Sequence, residues 1–145
     1  MSNLDLVILC GGKGTRLKHY TKFKPKPLID INKKSFLEIL INYYQKLDLN
    51  KIYLLAGYKG ELIKKKFHKK KFNFIECQVI IEKNPLGTGG SIRLLEKKIK
   101  NNFLLINGDS FLNFEMIKFL KLKKKKYIGK MLVTKNLNYK SNKKL

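Results

Sequence analysis

Hydrophobic positions along the chain alternate between short uninterrupted runs and helical spacing, the pattern of strands separated by crossover helices. Leu4 to Cys10 is a near-continuous apolar run ending in glycines, which suits a strand covered on both faces of a parallel sheet. Ser35 and Glu38 stand at capping-box spacing, and Phe36, Ile39, Leu40, Tyr43, Tyr44 and Leu47 recur behind them on one predicted helical face. Lys51 to Ala56 reads as a second strand, Glu61 to His68 as a short helix, and Phe74 to Glu82 as a third strand broken around Cys77. Past the turn signal Pro85 to Gly90, Ile92, Leu95 and Ile99 share one side of a helix. Phe103 to Ile106 reads as a fourth strand, Phe114, Ile117 and Leu120 to Leu122 as a helix, and Tyr127 to Val133 as a last strand. This order predicts a three-layer α/β fold with a mostly parallel sheet and right-handed crossovers. Residues 1–134 are expected to form that domain and 135–145 a loose basic end.

A length of 145 residues fits one compact domain, and 43% hydrophobic residues are enough for a core. The apolar runs are far shorter than the ~18 residues that cross a bilayer, so no membrane association is expected. No basic n-region opens the chain, and a cytoplasmic location is the expectation. Cys10 and Cys77 make neither a disulfide scaffold nor a metal knuckle and read as small buried hydrophobes.

The formal charge of +23 raises nucleic acid as a partner. Its distribution argues otherwise. Residues 1–72 carry 17 cations and 5 acids, residues 73–145 carry 16 and 5, and only Arg16 and Arg93 are arginine. Base and phosphate reading favours arginine, so the lysines read as a solvated surface in a chain also rich in Asn and Ile. Lys64 to Lys66, Lys69 to Lys71 and Lys123 to Lys126 would give salt-sensitive nonspecific binding, and no specific nucleic acid is expected.

In open parallel sheets, ligands lie beyond the carboxyl ends of the strands. Three such ends here carry unusual chemistry: Gly11 to Leu17, Asn84 to Gly90 and Asn107 to Ser110. Glycines directly after a buried strand let the backbone approach a phosphate and offer several N–H donors. The segment Gly11-Gly12-Lys13-Gly14-Thr15-Arg16-Leu17 therefore reads as a phosphate cradle or as a plain strand-to-loop turn. It matches neither the Walker spacing nor the dinucleotide glycine pattern. Arg16 would add a charge-assisted contact to phosphate oxygens.

Leu9 to Leu17, followed by Lys24-Pro25-Lys26-Pro27-Leu28, resembles the signature of sugar-phosphate nucleotidyltransferases, the NDP-sugar pyrophosphorylases. The runs Glu82 to Gly90 and Asn107-Gly108-Asp109 are most similar to the short bacterial guanylyltransferases acting on D-glycero-D-manno-heptose 1-phosphate. The resemblance runs from about Leu4 to Met131 and implies a Rossmann-like nucleotidyltransferase fold. It implies attack of a sugar 1-phosphate oxygen on the α-phosphorus of a nucleoside triphosphate, GTP in that subgroup, with release of pyrophosphate for surface polysaccharide synthesis. Leu9 and the backbone of Gly11, Gly12, Gly14 and Thr15 would hold the nucleotide, and Arg16 and Lys26 would act as the catalytic cations on the phosphates. Gly87 and Thr88 match the positions where the family's backbone meets the base, and Asp109 matches a Mg²⁺ ligand. Glu82, Asn84 and Tyr58 are further candidates for the pocket border, with packing or surface roles equally open. His19 and His68 carry no partner signature.

The family's chains continue past the end of this sequence and supply there a second metal-binding Asp and much of the sugar-phosphate pocket. After Asp109 the only acid is Glu115, at the start of a predicted helix. The sequence thus reads as the nucleotide half of such an enzyme. A completing chain or an oligomer would supply the rest, and the isolated chain is expected to turn over little. The alternatives are a non-catalytic nucleotide-binding remnant and, from another class, a basic nucleic-acid-binding protein.

Overall fold

The computed structural model describes residues 4–122 and 128–133 and divides the chain into two units, Met1–Asn113 and Phe114–Leu145. In the first unit, strands β1 (Leu4–Cys10), β4 (Lys51–Ala56), β6 (Ile75–Ile81) and β7 (Asn102–Asn107) form a parallel sheet in the order β6-β4-β1-β7. A two-residue strand, β5 (Lys71–Phe72), adds antiparallel to the β6 edge. A separate hairpin pairs β2 (Asp30–Ile31) with β3 (Lys34–Ser35).

The sequence ranges of β1 and β4 match the structure to the residue, because both strands are buried on both faces. Leu6, Val7 and Ile8 have no exposed surface, nor do Ile52 and Leu54. Asp5 is also buried and accepts from the Asn50 side-chain amide at 2.9 Å, tying the starts of the two strands together. Register places Val7, Leu9, Tyr53, Leu55, Ile80 and Leu105 on one face, where they pack with Leu95, Ile92 and Ile99 in and after α4 (Gly87–Arg93). Ala56 and Ile81 lie on the opposite face against α3 (Gly60–Phe67), close enough that a Cβ on Gly60 would stand 3.2 Å from each. The chain runs from β1 to β4 to β6 and then back across the sheet to β7, so crossovers of one hand must put α3 and α4 on opposite faces.

Helix α2 (Phe36–Tyr44) starts at the expected capping box, but its buried residues are Leu37, Leu40, Ile41 and Tyr44. The expected face, with Phe36, Ile39 and Tyr43, is rotated by roughly one residue; those three are only partly covered. Strand β6 is continuous through Cys77, because that backbone bonds onward to Lys69 and Lys70 rather than breaking. The hairpin turns Asn32-Lys33 and Asn73-Phe74, both with positive φ at both residues as tight hairpins require, are not legible in a hydrophobic pattern.

In the second unit, α5 (Met116–Lys121) carries the expected helix, and the Lys130 ammonium donates to the carbonyls of Phe119, Leu120 and Leu122 at its C-terminal end. The expected strand Tyr127 to Val133 is absent from residues 128–133, which have no ladder partner among the described residues; Tyr127 lies outside them. The expected loose end 135–145 also lies outside them. No helix among the described residues is long and apolar enough to cross a membrane.

Glu38 joins α2 to α3. Its carboxylate accepts from the Ser35 backbone at 3.1 Å and hydroxyl at 2.8 Å, and from Lys66 at 2.8 Å and Lys70 at 3.3 Å. Partial burial works against its charge, but these bonds outweigh it and bring the carboxyl from 4.5 to about 2. A depressed folded value means that the contribution is complete above the ordinary carboxyl range and is lost as pH falls through the folded one. Glu38→Gln should therefore destabilise by about 1–2 kcal/mol at neutral pH. In urea unfolding the gap to the wild type should close between pH 4.5 and about 2.

Candidate functional site

Because the four long strands are parallel, their carboxyl ends meet at one edge, and a cleft of about 430 Å³ opens there. After β1 the chain passes through Gly11 and Gly12 to Gly14, whose φ of +63° admits glycine most readily. The Gly14 carbonyl accepts from Leu17 N–H at 2.9 Å and from the Thr21 hydroxyl at 3.3 Å, which closes the turn onto the 3-10 segment Thr15–Leu17 and α1 (Lys18–Thr21). Tyr58, after β4, donates its hydroxyl to the Thr21 carbonyl at 3.3 Å, and Lys59 donates to the Lys22 carbonyl. One turn therefore braces the far side of the glycine loop from behind.

Lys26 follows Pro25, which is extended, and opens a 3-10 turn through Pro27 to Leu28. The prolines limit the backbone here, and the Lys26 ammonium reaches 2.9 Å from Asp109 Oδ2. Asp109 follows β7, and its other oxygen accepts from the Ser110 hydroxyl at 3.0 Å. The Lys26 ammonium, helped by Ser110 and opposed by partial burial, holds the Asp109 carboxyl below its usual range, so it is an anion at neutral pH.

Glu82, after β6, occupies the gap between the first two strand ends. Its Oε1 lies where side chains on Gly11 and Gly57 would go, 2.6 and 2.5 Å from the Cβ positions those residues lack. Its Oε2 is 2.7 Å from the Ser91 hydroxyl, which is also 2.8 Å from the Gly87 carbonyl. A hydroxyl has one proton, so Ser91 serves one of these acceptors at a time and links the Glu82 carboxylate to the start of α4.

Of the residues expected at the site, Leu9, Gly11, Gly12, Gly14, Lys26, Gly87, Thr88 and Asp109 all line the cleft. Thr15 is exposed at the start of the 3-10 segment and is not among the lining residues. Arg16 follows it in that segment, and its side chain lies outside the described set. Glu82 lines the cleft, whereas Asn84 and Tyr58 do not. The expected loop Asn84 to Gly90 is half helix: α4 begins at Gly87, so Thr88 sits in its first turn. Pro27, Leu55, Pro85, Ser91 and Asn107 also line the cleft; Pro27, Pro85 and Asn107 stand inside runs the sequence marks for their chemistry, whereas Leu55 and Ser91 carry no such signal. Cys10 lines it too, but burial, with Cys77 and Asp109 adding to it, pushes its thiol far up. Burial likewise raises Cys77 to about 12, and both are neutral buried thiols, as expected.

A parallel sheet wound on both faces, with a glycine turn, a proline-framed lysine and an aspartate at its carboxyl edge, defines an α/β protein of the nucleotidyltransferase fold. The family model described as "Nucleotidyl transferase" matches residues 6–143, and the chain belongs to that family. It is 44% identical over 123 residues to D-glycero-alpha-D-manno-heptose 1-phosphate guanylyltransferase of Campylobacter jejuni, covering 85% of this chain and 55% of that protein. The enzyme of the same name from Aneurinibacillus thermoaerophilus is 36% identical over 108 residues, covering 74% and 46%. Among solved structures, HddC from Yersinia pseudotuberculosis complexed with GMP-PN superposes with a TM-score of 0.70 at 39% identity, covering 80% of this chain and 52% of that one. The chain spans about half the length of these relatives.

Gly57→Ala should cost roughly 1–3 kcal/mol, because its Cβ would meet the Gly11 backbone carbonyl at 2.9 Å as well as Glu82. Gly12→Ala, with nothing within 4 Å, should unfold at the wild-type urea midpoint. Gly11→Ala should fall between them, since Glu82 can swing away only by leaving Ser91.

Proposed function

We propose that this chain forms the nucleotide-holding half of an enzyme that transfers a guanylyl group from GTP to a sugar 1-phosphate, a heptose 1-phosphate. The products are GDP-sugar and pyrophosphate, and the sugar nucleotide feeds surface polysaccharide synthesis. The observation that carries this reading is the convergence of Gly11, Gly12, Gly14, Lys26, Gly87, Thr88 and Asp109 on one cleft. The names of the guanylyltransferase relatives, and the GMP-PN in the Yersinia structure, support guanine and heptose over other bases and sugars.

In this reading the backbone of Leu9, Gly11, Gly12, Gly14 and Thr15 cradles the nucleotide, and Gly87 and Thr88 lie against the base. A sugar-phosphate oxygen attacks the α-phosphorus, a P–O bond forms, and the bond to the bridging oxygen of the β-phosphoryl group breaks. Lys26 and Arg16 neutralise the charge that collects on the departing pyrophosphate. Asp109 is the carboxylate that would hold Mg²⁺: it is ionised, half-exposed and lines the cleft, where substrate phosphates would complete the shell. Bound there, the metal would supply charge neutralisation on the triphosphate.

Calorimetry with GTP and Mg²⁺ tests the binding half of the reading, and pyrophosphate release with heptose 1-phosphate tests the chemistry. Wild-type chain should bind GTP·Mg²⁺ more tightly than UTP·Mg²⁺. Lys26→Ala and Arg16→Ala should each weaken triphosphate binding by roughly 1.5–3 kcal/mol, the scale of a charge-assisted hydrogen bond. Absence of triphosphate binding at millimolar concentration would overturn the reading.

A further inference from the structure

Lys26 and Asp109 lie 83 residues apart in sequence, on different loops, yet they meet at 2.9 Å across the cleft. The proposed function assigns both to the triphosphate, Lys26 directly and Asp109 through a divalent cation. An ammonium and a metal ion cannot occupy the same face of one carboxylate oxygen, since each repels the other and only one can take that lone pair. We propose that Lys26 is the resident counter-cation of Asp109: its ammonium holds the metal position in the nucleotide-free protein and gives it up when a metal–triphosphate arrives.

This rests on the nucleotide-binding reading of the cleft, and the local geometry suits it. The Lys26 stem lies along the glycine turn, with Cβ 3.3 Å and Cδ 3.8 Å from the position a Gly14 Cβ would take. The stem is thus anchored beside the proposed phosphate cradle while only the ammonium end reaches Asp109. Rotation about the terminal bonds carries the charge from the carboxylate to the cradle, and Pro25 and Pro27 need not move. The side chains are 34% and 46% exposed, so solvent screens the pair and a stronger cation can displace it. Among the described residues no other cation is bonded to Asp109. Glu82, the other carboxylate of the cleft, accepts from the neutral Ser91 hydroxyl instead.

The consequence is coupling between metal and nucleotide. Metal alone, bound at the Oδ2 that Lys26 occupies, evicts the ammonium and leaves its charge without a partner; bound at Oδ1, it sits beside that charge, so either way the ammonium opposes it. A metal–triphosphate evicts it and supplies phosphate oxygens as the new partner, so each ligand strengthens the other.

The test is Mn²⁺ binding to the nucleotide-free 145-residue chain, read by electron paramagnetic resonance of the free ion. Lys26→Met should tighten Mn²⁺ binding by about three- to tenfold, the scale of a lost exposed ion pair plus one nearby repulsion, while it weakens GTP binding. Lys26→Arg, which keeps the charge, should stay near wild type. So should Lys24→Met, which removes a cation that bonds Asp30 rather than Asp109. Adding Asp109→Asn to Lys26→Met should abolish the gain. The proposal is overturned if Lys26→Met binds Mn²⁺ no more tightly than wild type, if Lys24→Met shows the same gain, or if the gain survives Asp109→Asn. These titrations contain no nucleotide, so they are independent of the GTP measurement: failure of wild type to bind GTP sinks the nucleotide reading, and an unchanged Mn²⁺ affinity in Lys26→Met sinks the counter-cation.

Discussion

The carboxyl ends of β1 and β4 come together where Gly57 lacks a Cβ that would meet the Gly11 carbonyl at 2.9 Å, and the Glu82 carboxylate fills the space that side chains on Gly11 and Gly57 would need. This close approach is the constraint on which the cleft depends. It lets Tyr58 N–H reach the Gly11 carbonyl and Glu82 N–H reach the Ala56 carbonyl, which brings three strand ends into hydrogen-bond contact. Through Ser91 the same carboxylate contacts the start of α4, where the backbone near Gly87 faces the cleft. One acidic side chain thereby couples the glycine turn on one side to the helix start on the other.

Legibility along the chain follows burial. β1 and β4 were readable to the residue because strands covered on both faces leave no polar interruption. The α2 face was displaced because Phe36 and Leu37 are both apolar, and periodicity alone does not choose between adjacent stripes; packing buries Leu37. β6 runs unbroken through Cys77: the flanking polar residues Glu76 and Gln78 are partly exposed on this strand near the sheet edge and do not interrupt the ladder. The apolar residues of 127–133 suggest a strand, but 128–133 pair with no strand among the described residues. At the site, the glycine turn, Lys26 and Asp109 were legible because strand ends and the family signature point to them. Ser91 was not, since a lone serine in a glycine-rich stretch has no pattern; only the fold shows the carboxylate it meets.

The charge excess also takes a definite form. Ten acids cannot pair 33 cations, and those near lysines are used locally: Asp30 with Lys24, Glu76 with Lys51, Glu38 with Lys66 and Lys70. Such exposed pairs contribute little stability each, and the partly buried Glu38 network is the exception because it fixes where α2 starts against the end of α3. The remaining lysines among the described residues keep the surface hydrated and strongly positive, which raises the local concentration of polyanions.

The pairing of β1 with β7 joins residues 98 apart, as in Val7 with Leu105. The β1, β4 and β6 pairings close much shorter loops and complete the glycine turn and Glu82 without β7. Entropy of loop closure therefore favours β7 as the latest of the long strands to join, and Asp109 arrives with it. An anionic ligand that bridges the glycine turn and the Asp109 loop would bind only the fully closed sheet. In mass-action terms it would act as a clamp on the slowest contact of the fold, adding stability that rises with the logarithm of its concentration.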